Sequence, residues 1–73
     1  MPPLPLIWGD EFVEAMGRLG YQWERTVGSH MILVHANGIT LSVPRHKELG
    51  RGLLRRLLRD AGITTQEFLG LLK

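Results

Sequence analysis

Cysteine is absent from this chain. No disulfide framework and no thiolate metal site can form, and nothing in the cysteine count suggests secretion. No apolar run approaches the ~20 residues that cross a bilayer, so no membrane partner is expected. The lead-in MPPLPLIW carries no basic residue and no small-residue cleavage site, and it is too rich in proline to read as a signal peptide. The expected location is the cytoplasm. There is no Gly-rich phosphate loop, no Ser/His/Asp triad and no Cys nucleophile. His30 and His35 have the wrong spacing for a shared metal and no carboxylate completes a site, so neither metal nor small-molecule cofactor is expected. With 73 residues, the chain reads as one domain, 1–73, with residues 1–8 as an extended lead-in. A core of this size supplies only ~3–5 kcal/mol of net stability and leaves no room for a deep cofactor cavity.

What is present is charge, unevenly placed. The formal net charge is only +2. Residues 1–24 hold Asp10, Glu11, Glu14 and Glu24 against Arg18 alone. Residues 45–59 hold Arg45, Lys47, Arg51, Arg55, Arg56 and Arg59 against Glu48, a local net of +5 (six cations less one anion). That asymmetry points to a polyanion partner, an acidic protein partner, or both.

Hydrophobic periodicity divides the chain. Phe12, Val13, Met16 and Leu19 recur at helical spacing, after Gly9 or Asp10 and before an αL cap at Gly20. With Gly9 as N-cap, Trp8 and Val13 would form a hydrophobic staple. Residues 21–27 alternate weakly and read as a strand, turned by Gly28-Ser29 into a second strand, 30–36. Asn37-Gly38 is a strong hairpin signal, because a type I′ turn needs positive φ at both positions. Residues 39–43 form a third strand, stopped by Pro44, and 45–49 a basic loop. Residues 52–61 read as a helix with Leu53, Leu54, Leu57, Leu58 and Ala61 inward, ended by Gly62. Arg51, Arg55 and Arg59, at i, i+4 and i+8, form its outer stripe. Thr64-Thr65-Gln66-Glu67 is a capping box opening a last short helix, 65–72. The fold class is therefore α+β, ordered α-β-β-β-α-α. A three-stranded antiparallel sheet with helices on one face is the simplest packing.

A two-residue Asn37-Gly38 turn would set a register: Ala36 opposite Ile39, Val34 opposite Leu41, Ile32 opposite Val43, His30 opposite Arg45. These would share the core face, with His30 and Arg45 at its open end. The other face would carry Met31, Leu33, His35, Thr40 and Ser42. An imidazole at the mouth of a strand titrates near neutral pH, and beside cations it suits acid–base cleavage of RNA. Ser29, His46 and Lys47 are candidates for assisting it. Arg45, Lys47, Arg51, Arg55, Arg56 and Arg59 are candidates for holding phosphates. Trp23 and Tyr21 could stack on bases, although core duty is the expected use in so small a chain.

Several segments resemble one family in order and spacing. Leu4-Pro5, Gly9-Asp10-Glu11-Phe12-Val13 and Leu19-Gly20-Tyr21 resemble its opening helix and exit. Gly28-Ser29-His30 stands at its Gly-Ser-His motif. Val43-Pro44-Arg45-His46 and Lys47-Glu48-Leu49 resemble its Val-Pro-x-His and Lys-Glu-Leu run. Gly52, Leu54-Arg55, Leu58, Ala61-Gly62-Ile63 and Glu67-Phe68-Leu69 resemble its closing segments. The family is HicA (YcfA-like), the small ribonuclease toxins of type II toxin–antitoxin pairs. Trp8 stands where a serine is frequent, and Leu53 replaces the threonine of Gly-Thr-Leu. The resemblance implies a double-stranded-RNA-binding-domain-like fold. It also implies mRNA cleavage without metal or cofactor, His30 as the catalytic residue, and a HicB-type antitoxin that covers it. Two other readings stay open from the residues themselves. One is a non-catalytic RNA-binding module on the same basic face. The other is a protein-interaction domain working through Met31 and Leu33.

Overall fold

In the computed structural model, which describes residues 4–72, the chain runs β1 (Ile7–Trp8), α1 (Gly9–Gly17), β2 (Gln22–Val27), β3 (His30–Val34), β4 (Thr40–Pro44), β5 (Glu48–Leu49), α2 (Arg51–Ala61) and α3 (Thr65–Leu69). Apart from the two-residue strands β1 and β5, this is the expected α-β-β-β-α-α order. Residues 1–3 of the expected lead-in lie outside the described residues. The ladder of β1 with β5, Ile7 opposite Leu49 and Trp8 opposite Glu48, replaces the loop expected at 45–49. It ties the lead-in to the segment before α2.

Helix α1 begins one residue earlier than Gly9 as N-cap would require. Trp8 is the N-cap, and its N–H donates to the Glu11 carboxylate at 2.9 Å. The staple positions are therefore Ile7 and Phe12, both buried, and not Trp8 and Val13. Asp10 and Glu11 sit in the first turn, where the helix dipole favours them. At the far end the Tyr21 N–H reaches the Met16 carbonyl across Gly20, which has φ +97. That is the αL exit expected of the glycine. Helix α2 ends in the same way at Gly62, φ +76. The Thr64–Glu67 box forms with both of its bonds, 3.0 and 2.8 Å. Helix α3 stops at Leu69, short of the expected Leu72.

The three-stranded sheet is antiparallel in the order β2-β3-β4. Its first hairpin turns on Gly28-Ser29. Gly28 has φ +60 and Ser29 does not share that sign, which suits a turn with glycine at its first central position. The second hairpin overturns the expected register. Only Gly38 has positive φ there, at +93, so a type I′ turn is ruled out. The Gly38 N–H closes a turn on the His35 carbonyl, and the His35 N–H bonds Ile39. The Asn37 side chain accepts from the Ile39 N–H. The loop thus holds three residues, not two.

One extra loop residue moves every partner. His30 faces Pro44, Ile32 faces Ser42, Leu33 faces Leu41 and Val34 faces Thr40. A slip of one exchanges the two faces of a strand. Met31, Leu33, Leu41 and Val43 are therefore the core face, all buried, where Ile32 and Val34 were expected. Against them pack Phe12 and Met16 of α1, Leu54, Leu57 and Leu58 of α2, and Phe68 of α3. The Phe12 and Phe68 rings lie 5.6 Å apart between centroids. An interaction surface made of Met31 and Leu33 is excluded, because both are interior. His30 lies on the opposite, uncovered face.

Candidate active site

His30 is the first residue of β3 and is exposed. Its position is held by two backbone links. The Gly28-Ser29 turn pairs Val27 with His30, and the Ser29 carbonyl accepts from the Arg45 N–H at 2.7 Å. The imidazole is thus anchored to a strand end clamped from both neighbours, which favours precise placement of a reacting group.

The imidazole opens on a cleft of about 430 Å³ between β4 and α2. Thr40 and Ser42 of β4 and Arg56, Leu57 and Asp60 of α2 line it with His30. The helix side follows from spacing. Leu53, Arg56, Leu57 and Asp60 lie at i, i+3, i+4 and i+7 and so share one face. The cleft therefore sets an imidazole, a guanidinium, a carboxylate and two hydroxyls around an apolar floor. A cation with several N–H donors beside a proton acceptor suits a bound phosphodiester.

The other expected residues fall elsewhere. Arg45 does not face His30 in the register. It lines a second cavity with His46, on the helix-covered side of the sheet, together with Met31 and Trp23. Lys47 is exposed, and its carbonyl accepts from the Gly9 N–H at 2.9 Å. Arg55 and Arg59 are exposed on α2. Arg51 donates from Nε to the Leu4 carbonyl at 2.9 Å and so holds the lead-in. Among the described residues no group of three or more His, Asp or Glu could hold a metal ion.

His35 is a framework residue. Its Nδ1 accepts from the Asn37 N–H at 3.0 Å, so Nε2 carries the hydrogen toward the Leu19 carbonyl at 2.9 Å. Its ring rests on Tyr21, 4.8 Å between centroids. Tyr21 is buried as expected, whereas core duty fails for Trp23, which is 56% exposed. Sequence reasoning missed Thr40, Ser42 and Asp60. The i, i+4 spacing of Asp60 from Arg56 is the only local sign of the last. Membership of the cleft depends on where α2 docks.

The family model for the HicA toxin of bacterial toxin–antitoxin pairs matches residues 9–63. That span contains His30, Arg56 and Asp60. No curated protein matches the chain.

Proposed function

The chain belongs to the HicA toxin family of bacterial toxin–antitoxin pairs, and from that membership we propose that it is an endoribonuclease that cuts mRNA with His30 as general base. One observation carries the reading: the Gly28-Ser29-His30 imidazole opens on a cleft that it shares with Arg56. His30 takes the proton of a ribose 2′-OH. The freed oxygen attacks the adjacent phosphorus, and the bond to the 5′-oxygen of the next nucleotide breaks. A 2′,3′-cyclic phosphate and a free 5′-OH result. Arg56 supports the charge on the phosphorane through its N–H donors. Arg45, Lys47, Arg55 and Arg59 extend the cationic surface along which the strand lies, with Arg51 at its margin.

Of the expected assisting groups, His46 lines the other cavity and Lys47 lies outside the cleft, so only Ser29, next to His30 in the turn, remains a candidate. The leaving oxygen takes its proton from water or from the Ser29 hydroxyl. The chemistry uses no cofactor and calls for no metal ion. The partner is a HicB-type antitoxin seated over His30. The uncovered sheet face supports this, since Val27 beside His30 is 54% exposed.

The test is an RNA carrying a single deoxyribose at a mapped cut site. Cleavage of the all-ribose strand, with a cyclic phosphate at the new 3′ end and none at the deoxy position, is the expected result. Cutting at the deoxy position would overturn the 2′-OH mechanism. RNA that is bound but left intact would mean a binding module.

A further inference from the structure

Trp23 is the largest exposed apolar side chain on the sheet, and its surroundings are ordered around it. β2 carries a bulge between Trp23 and Arg25. The extra residue turns Trp23 and Thr26, three apart, onto the same face, opposite Leu33 and Met31. The indole Nε1–H then donates to the Thr26 hydroxyl at 3.0 Å. The polar edge of the ring is satisfied and the ring is held, while its face stays open.

Beside it, Arg45 and His46 line the same cavity of about 360 Å³. Arg45 donates from Nε to His46 Nε2 at 2.9 Å. Its two terminal nitrogens stay free for an anion. Since Nε2 accepts, His46 carries its hydrogen on Nδ1, which points to the Asp10 carboxylate 3.3 Å away. The Asp10 charge is thereby directed at the imidazole. His46 has φ +53 and is the one non-glycine residue with positive φ among the described residues. Such a backbone is uncommon outside glycine, and persists where neighbours hold it, often at ligand clamps.

We propose that Trp23, Arg45 and His46 form a second nucleotide site, outside the His30 cleft, in which an RNA base stacks on the indole and its phosphate sits on Arg45. The proposal rests on the reading of the protein as an RNA-cleaving enzyme. Every base has a π face, and a fixed ring loses little freedom on stacking. The two sites lie on opposite sides of one strand end. Pro44 lines the His30 cleft and Arg45, the next residue, lines this one. A strand that served both would have to pass the end of β4, where the Arg45 N–H meets the Ser29 carbonyl. A protein-docking surface would present a broad apolar core with a polar rim. Here one exposed indole, with Val13 and Met31 also in the lining, stands among a guanidinium, a hydroxyl and an imidazole that engages the Asp10 carboxylate, which fits one base and one phosphate.

The test uses a His30→Ala, Trp8→Phe chain, which leaves the RNA uncut and Trp23 as the sole indole. It is titrated with single-stranded oligoadenylate and oligouridylate, following tryptophan fluorescence and gel retardation together. The expected result is saturable quenching that tracks retardation. Trp23→Ala weakens binding on the order of ten- to a hundredfold, and Trp23→Phe recovers most of it. Circular dichroism of each variant must match the parent. Retardation with unchanged fluorescence, and unchanged affinity in Trp23→Ala, would overturn this site and leave the His30 reading intact. No retardation at low salt would overturn both. A fluorescence change that follows protein concentration without RNA would mean self-association at Trp23, and would also overturn the site.

Discussion

His30 and Arg56 look into one cleft from different elements, the imidazole from β3 and the guanidinium from α2. Helix α2 sits against β4 because Leu54, Leu57 and Leu58 bury themselves there, and Arg56 is carried to the cleft on the adjoining face. Its loss should remove one phosphate contact. For about five contacts to single-stranded RNA, log K falls against log salt with a slope of roughly −3.5. Arg56→Ala should bring that slope to about −2.8, measured by binding of uncut RNA to the His30→Ala chain. An unchanged slope would remove Arg56 from the phosphate site.

Arg51 and Arg59 share a helix stripe but not a duty. Arg51 spends its Nε on the Leu4 carbonyl, while Arg59 is exposed on the last turn of α2. Arg59→Ala should therefore shift the salt slope by about 0.7. Arg51→Ala should shift it less, and should lower the melting temperature. Equal shifts in slope would show that the Leu4 contact does not withhold Arg51 from RNA.

Gly9 and Gly17 begin and end α1, with opposite demands. A Cβ on Gly9 would overlap the carbonyl oxygen of Pro44, backbone against backbone. A Cβ on Gly17 would meet nothing within 4 Å. Gly9→Ala should cost ~3 kcal/mol, since neither backbone can yield cheaply. Gly17→Ala should gain ~0.5–1 kcal/mol from helix propensity and reduced unfolded-state freedom. Urea unfolding of the two variants checks both signs.

Tyr21 is buried, and its hydroxyl has no hydrogen-bond partner among the described residues. Tyr21→Phe should stabilise the chain by about 1 kcal/mol, because the unmet polar group disappears. Burial also pushes the phenol above its ordinary value of 10.0. Below that value the phenol is neutral in both states. As pH rises past it, the unfolded chain ionises first and binds fewer protons, so stability falls until the folded value is passed. Tyr21→Phe should lose that alkaline decline. Tyr21 is the only tyrosine, so its phenolate absorbance reports the folded value directly.

Local signals with a stereochemical cause survived into the structure. Gly28-Ser29 turns a hairpin, Gly20 and Gly62 end helices, and Thr64 with Glu67 closes a capping box. Asn37-Gly38 was legible as a turn but not as a turn type. The Asn37 side chain bonds the Ile39 N–H, which builds a three-residue loop and exchanges the faces of the sheet. That single residue separates His30 from Arg45 and brings Met31 and Leu33 inside. The ladder of β1 with β5 is too short to show a period. The bulge that exposes Trp23 breaks the very alternation by which a strand is read. His30 was legible as a candidate from its turn and from family resemblance. Its cleft partners Thr40, Ser42 and Asp60 were not, because tertiary docking alone brings a strand edge to a helix face.

The most direct measurement compares RNA cleavage by the purified chain with that of His30→Ala, both in EDTA and both with matching circular dichroism. We expect cleavage by the parent and a rate lower by about 10²–10⁴ in the variant, the usual contribution of a general base. A loss below about tenfold, or RNA left intact by the parent, would contradict it.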